Sequence, residues 1–148
     1  MRAEVVLAFD YGTRRIGVAT GDTLTRTARP LTTLEYPAGK LPWDAIDKLN
    51  SDYTPAQFIV GLPYNMDGSP TRLTAASRHF ASSLKARYMS SVALVDERLS
   101  SREGESALRA ARAGGIRRRR VRRVDVDSAA AAVLLERWFD NPSAVEQV

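Results

Sequence analysis

Three acidic residues stand where elements of the chain begin or end, and together they could hold divalent cations. Asp10 ends an apolar stretch of strand length, Glu97 follows another such stretch, and Asp127 opens the last helical pattern. Three carboxylates a few ångströms apart repel by about 4 kcal/mol per pair at an effective dielectric constant of about 20, so they stay ionised together only beside cations. Oxygen ligands suit Mg²⁺ or Mn²⁺, and a pair of such ions supports in-line phosphodiester hydrolysis. The three positions therefore predict a site for two divalent ions, with the same residues as catalytic groups.

Each acid also has a structural interpretation that needs no metal. Asp10 could cap the turn that contains Gly12. Glu97 could form a surface ion pair with Arg98 or Arg102. Asp127 could be the N-cap of the last helix, a role worth about 1 kcal/mol. Taken singly, the structural interpretation is favoured for Glu97 and Asp127, whereas three acids at adjoining element ends favour the metal site.

The amino-acid composition argues against catalysis by cysteine, histidine or serine. The chain of 148 residues has no cysteine, which excludes disulfides and Cys-ligated zinc and suits a reducing cytoplasm. The single histidine, His79, lies in a predicted helix, and no serine has a recognisable base beside it. No apolar run approaches the roughly 20 residues that span a bilayer, and the first residues lack a signal-peptide layout. We therefore expect a cytoplasmic protein without membrane contact.

Positive charge is concentrated in one segment, residues 116–123, which reads IRRRRVRR. The formal net charge is +5, so the chain without these arginines is close to neutral. A local concentration of arginine indicates phosphate contact, and the alternative is a solvated loop without a partner. The nucleic-acid-binding residues predicted here, which we call the arginine segment, are Arg117, Arg118, Arg119, Arg120, Arg122 and Arg123.

The elements that must position the acids follow from the hydrophobic pattern. Their order predicts an α/β fold, in which a five-stranded mixed sheet has strands 1–3 antiparallel and helices on both faces. Strand 1 is expected to be central, so that neighbouring strand ends bring Asp10 and Glu97 together and the last helix adds Asp127. We expect one domain over residues 1–140 and a frayed tail over 141–148. Strands are predicted at 4–10, 15–21, 29–34, 57–62 and 92–95, and helices from Pro42 and over 71–87, 101–113 and 127–139.

With these residues in view, five blocks of the sequence resemble the YqgF/RuvX family, which is also described as Holliday-junction-resolvase-like. The blocks occur in order over about residues 4–140, and five in register are far more specific than one. They are 9–19 (FDYGTRRIGVA), 27–31 (TARPL), 59–68 (IVGLPYNMDG), 96–100 (DERLS) and 126–130 (VDSAA).

The resemblance implies an RNase H-like fold and a bacterial nuclease that processes the 5′ end of the 16S rRNA precursor in ribosome biogenesis. By motif position, the family's acids fall on Asp10, Glu97 and Asp127. Asp96 is expected to support the site from the other face of its strand, because neighbours on a strand point to opposite faces.

One departure from related nucleases concerns a fourth acid. Many RNase H-like nucleases carry it one turn into the last helix, where this chain has Ala130 and Ala131. One ion would then be held loosely unless Asp125 substitutes. Further residues expected to contact nucleic acid are Arg14, Arg15, Asn65 and Arg98, although Asn65 is also an ordinary turn former.

Other functions stay open. A resolvase acting on branched DNA is one, because phosphate contacts do not separate RNA from DNA. A catalytically silent RNA-binding or ribosome-assembly factor is another, given the missing fourth acid. An ATP-binding lobe is a third, since residues 10–13 also resemble the first phosphate loop of the actin, Hsp70 and sugar-kinase group. The expected partners are structured RNA and ribosome precursors, and the oligomeric state is open between a monomer and a weak dimer.

Overall fold

The protein is described by a computed structural model that covers residues 3–97, 123–142 and 146–148. The predicted helix over 101–113 lies outside these residues. The elements are β1 (Val5–Tyr11), β2 (Arg15–Asp22), β3 (Thr27–Glu35), α1 (Trp43–Tyr53), β4 (Gln57–Leu62), α2 (Arg72–Tyr88), β5 (Ser91–Asp96), α3 (Arg123–Asp140) and β6 (Glu146–Gln147).

The strands form one mixed sheet in the order β3-β2-β1-β4-β5-β6. A short turn joins β1 to β2, so these strands pair antiparallel, and β3 continues the antiparallel half. Parallel strands need long crossovers, and the connections that contain α1 and α2 allow β1, β4 and β5 to pair in parallel. The prediction of a mixed sheet with three antiparallel strands and a central β1 is therefore confirmed.

The strand count is six rather than the predicted five. Within the tail that was predicted to fray, Gln147 pairs with Ala93, and the Val148 N–H donates to the Val92 carbonyl at 3.0 Å. Glu146 also forms an ion pair with Arg78 of α2. The tail prediction is wrong for residues 146–148, because a two-residue strand is too short to show a hydrophobic period.

The sheet is buried on both faces because its central strands β1, β4 and β5 each contain a continuous run of apolar residues. Leu7 and Phe9 of β1 belong to a core shared with α1 and α2, whereas Val6 and Ala8 face a second core under α3. This alternation puts the next residue of the second set, Asp10, on the α3 side. The prediction of helices on both faces is confirmed.

The last helix begins earlier than predicted. The sequence places Asp127 or Ser128 at its N-cap, but α3 starts at Arg123, so Asp127 lies in the second turn. The interpretation of Asp127 as an N-cap is therefore wrong. Residues 123–126 contain neither glycine nor proline, so the helix continues through them. Among the helices that the structure describes, none is long and apolar enough to cross a membrane.

Candidate active site

Asp10 lies near the end of the central strand and is partly buried. The register of the hairpin places it opposite Gly17 of β2. On its other side, β1 pairs with β4 up to Phe9 and Val60. To form one site with Asp10, Glu97 must reach it from the end of β5, and Asp127 must reach it from α3.

Glu97 reaches Asp10 by crossing over β4, the strand that separates β5 from β1. Its backbone N–H donates to the Leu62 carbonyl at 3.0 Å, and its side chain shares a hydrogen bond with Asp10. The crossing passes over Gly61, where an added Cβ would overlap Glu97 Oε2 and lie 2.7 Å from Leu134 Cδ1. A larger residue at Gly61 would block this path.

The two carboxyl groups favour protonation when no cation is present. The pKa of Asp10 is raised to about 6, because burial and, to a smaller extent, the charge of Asp127 outweigh the lowering effect of the hydrogen bond with Glu97. The pKa of Glu97 is raised to about 9, chiefly by burial and then by the charge of Asp10, the hydrogen bond between the two groups and the charge of Asp96. At neutral pH the pair therefore shares a proton.

Asp127 joins this corner because α3 approaches β2 very closely at Gly17. An added Cβ on Gly17 would overlap the backbone carbonyl of Asp127 and lie 3.0 Å from the Ser128 nitrogen. Since Gly17 is the partner of Asp10, the contact holds Asp127 near enough for its charge to act on Asp10. Its side chain accepts a hydrogen bond from Arg15, with 2.7 Å between Nε and Oδ2.

The donor set fits a divalent cation at the Asp10–Glu97 pair. Both groups offer carboxylate oxygens, and Glu97 Oε2 is buried without a hydrogen-bond partner in the described part of the chain. In residues 3–97, 123–142 and 146–148, no three His, Cys, Asp or Glu side chains are grouped closely enough to hold an ion. The third predicted ligand, Asp127, is instead occupied by Arg15.

Of the other predicted residues, Asp96 follows the parity of Leu94, which faces the core under α1 and α2. Its charge nevertheless contributes to the raised pKa of Glu97. Asn65 donates through Nδ2 to Ser69 Oγ at 2.9 Å, which is the turn-forming role. The residues that lie outside the described part are Arg98, Arg117, Arg118, Arg119, Arg120 and Arg122, together with the side chains of Arg123 and Asp125.

Sequence reasoning missed two glycines and one ion pair. A glycine inside a buried strand signals the close approach of another group, and this signal was available for Gly17 and Gly61. The pairing of Arg15 with Asp127 had no such signal, because these residues are 112 positions apart.

The fold defines the class of protein first. The solved structure of T. thermophilus RuvC in complex with a Holliday junction substrate matches with a TM-score of 0.60 at 14% identity, covering 97% of this chain and 99% of that chain. A second Thermus thermophilus RuvC structure matches with a TM-score of 0.55 at 10% identity. The chain therefore has the RNase H-like fold that the sequence predicts.

The sequence comparisons then give the family. The RuvX family, described as Holliday junction resolvase, matches residues 4–141, and the chain belongs to it. A relative from Pectobacterium carotovorum is 43% identical over 95% of this chain and 98% of its own length. One from Cronobacter sakazakii is 46% identical over 91% and 95%. Both carry the name "Putative pre-16S rRNA nuclease". The predicted family and the general class of nuclease are confirmed.

Proposed function

We propose that this chain is a divalent-metal-dependent endonuclease that hydrolyses phosphodiester bonds at the 5′ end of the 16S rRNA precursor in the bacterial cytoplasm. The observation that carries the chemistry is the buried Asp10–Glu97 pair with its unpartnered oxygen. The substrate follows the names of the relatives, and the RuvX family supplies the reaction class.

In the proposed site, Asp10 and Glu97 hold the cation and Asp127 is its third ligand. One or two Mg²⁺ or Mn²⁺ ions would supply an activated water and would stabilise the leaving oxygen. Ala130 and Ala131 are fully buried, and their methyl side chains have no atom that could bind an ion. Asp125 is the proposed substitute for the absent fourth acid.

The same proposal assigns the substrate backbone to basic residues around this corner. Arg14 ends the β1–β2 connection and Arg15 begins β2, next to Asp10 and Asp127. With Arg98 and the arginine segment, they would contact phosphates and hold structured RNA or a ribosome precursor. Such contacts supply affinity rather than sequence specificity. Asn65 would bind a phosphate only by giving up the hydrogen bond that its amide donates to Ser69 Oγ within its own loop.

A branched DNA junction is the second candidate substrate. The fold likeness to RuvC bound to a junction and the description of the RuvX family both favour it. The acids and arginines described above serve either substrate, because both present phosphodiesters.

The proposal is tested by incubating the purified protein with labelled 16S rRNA precursor and with DNA four-way junctions. Each reaction contains Mg²⁺, Mn²⁺ or a chelator, and Asp10→Asn is compared with Asp52→Asn, a control at an exposed acid of α1. We expect metal-dependent cleavage that falls by about two orders of magnitude or more in Asp10→Asn but not in Asp52→Asn, with nucleic-acid binding retained.

Cleavage that survives the chelator, or that is unchanged in Asp10→Asn, would contradict the proposal. Preferential cleavage of the junction would favour the second substrate. Tight binding of RNA without any cleavage would favour a silent assembly factor.

A further inference from the structure

Arg15 lies between the Asp127 carboxylate and a neighbouring cavity. Its guanidinium donates to Asp127 through Nε, with 30% of the Arg15 side chain and 23% of the Asp127 side chain exposed to solvent. It also lines a cavity of about 410 Å³ together with Arg14, Glu35 and Tyr36. The same side chain therefore borders the acidic corner and a neighbouring space.

A cation at the acidic corner would compete with Arg15. Both would use the carboxylate of Asp127, and the guanidinium carries a fixed positive charge that repels a divalent ion. The Asp127 carboxylate already accepts the hydrogen bond of Arg15, with 2.7 Å between Nε and Oδ2.

The cavity offers Arg15 a second position. Glu35 is the cross-strand partner of Arg15, and the Tyr36 hydroxyl is already committed as a donor to the Gly12 carbonyl. While Arg15 neutralises Asp127, the charges of Arg14 and Glu35 cancel in the cavity. Once Arg15 is released, the cavity gains one net positive charge, which suits a phosphate oxygen.

We propose that Arg15 is an exchangeable counter-ion that couples cation binding to phosphate binding. It pairs with Asp127 until a divalent cation takes that carboxylate, and it then turns into the adjoining cavity to bind a phosphate of the substrate. The inference rests on the proposed metal-dependent function, and it assigns Arg15 a positioning role in that function.

The first test measures Mn²⁺ binding in the absence of nucleic acid, by counting free Mn²⁺ with electron paramagnetic resonance. We expect Arg15→Gln to bind Mn²⁺ about fivefold more tightly than the parent protein, the factor that corresponds to losing a competing ion pair of about 1 kcal/mol. Arg14→Gln is the matched control, because it removes the same charge one residue away without touching the pair. Its Mn²⁺ affinity should stay within about twofold of the parent, by the same scale.

The second test measures equilibrium binding of single-stranded RNA over a series of salt concentrations, with and without Ca²⁺ as an oxygen-seeking cation. In the parent protein, the cation should raise RNA affinity. In Arg15→Gln this gain should disappear and the salt slope should fall by about 0.7, the loss of one phosphate contact. Lys40→Gln, which removes one positive charge at an exposed residue outside the cavity, should keep the gain produced by the cation.

The outcomes separate the two proposals. If Asp10→Asn binds Mn²⁺ as well as the parent does, the metal site itself is refuted. If Asp10→Asn loses Mn²⁺ but Arg15→Gln binds it no more tightly than Arg14→Gln, only the exchange at Arg15 is refuted. An undiminished cation-dependent gain of RNA affinity in Arg15→Gln would also overturn the exchange.

Discussion

At the scale of single residues, Glu97 is held in a place that costs the fold stability. Its Oε2 atom is buried without a hydrogen-bond partner among the described residues, and Asp10 lies beside it. A buried carboxylate needs a cation or a proton, and here burial raises the pKa of both groups. The arrangement is poor for a metal-free protein and suitable for binding a cation.

The raised pKa values give a stability prediction with a definite sign. Protonation of Asp10 and Glu97 stabilises the fold fully below their unfolded pKa values near 4, and this contribution is lost as the pH rises through about 6 for Asp10 and about 9 for Glu97. In a chelator at pH 8, Glu97→Gln should therefore raise the free energy of unfolding on the order of 2 kcal/mol, or Tm by about 5 °C.

Thermal melts at pH 4 and pH 8 provide the measurement and its internal control. At pH 4 the glutamate is as neutral as the glutamine, so the gain should vanish. Glu136→Gln, at an exposed position of α3, should have little effect at either pH. A Glu97→Gln protein that melts below the parent at pH 8 would be incompatible with a destabilising carboxylate.

At the scale of elements, two glycines decide whether the acids meet. Gly17 lets α3 approach β2 until the Asp127 backbone lies over it, and Gly61 leaves the space through which Glu97 crosses β4. The strands and α3 position the three acids, and the absence of a side chain at Gly17 and Gly61 allows Asp127 and Glu97 to lie close to Asp10.

Alanine at either glycine should separate the acids. We expect Gly17→Ala and Gly61→Ala each to lower stability by about 1–3 kcal/mol through overpacking, and to lower cleavage by about tenfold to a hundredfold. Cleavage assays at a temperature where each variant is folded provide the measurement.

Gly39→Ala is the control for these substitutions. Gly39 has φ +82° but nothing within 4 Å of an added Cβ, so alanine there brings backbone strain without a collision. It should lose stability but keep its activity. Full activity in Gly61→Ala would show that catalysis does not require the Glu97 side chain to cross β4 at Gly61.

The sequence predicted the elements better than the contacts between them. Alternating and continuous apolar runs identify β1 and β4, and the short turn between β1 and β2 implies their hairpin. The position of Asp10 follows directly from that pattern. The short strand β6 and the pairing of Arg15 depend on tertiary contacts that no local period encodes.

At the scale of the whole molecule, positive charge is distributed unevenly along the chain. The formal net charge is +5, and the arginine segment alone carries six positive charges. Apart from the backbone of Arg123, that segment lies outside the described residues, so its phosphate role stays a prediction from sequence. Affinity that depends on such a cluster must weaken steeply as salt is added.

Replacing Arg117, Arg118, Arg119 and Arg120 with serine should weaken RNA binding. It should also lower the slope of log affinity against log salt by up to about 3, if each arginine contacts a phosphate of a single strand. Filter binding at several salt concentrations is the measurement. Serine at Lys40 and Lys48, exposed residues before and within α1, is the control. A slope equal to that of the parent would show that these arginines do not touch phosphate.

The order of the acids along the chain has a consequence for synthesis under the proposed function. Asp10 and Glu97 leave the ribosome before α3, and Asp127 reaches β2 only when that helix docks over Gly17. A nascent chain therefore displays an incomplete centre for most of its translation. The ribosome that synthesises this protein contains mature 16S rRNA, the processed form of the proposed substrate. That rRNA can meet a complete active site only after α3 has been synthesised.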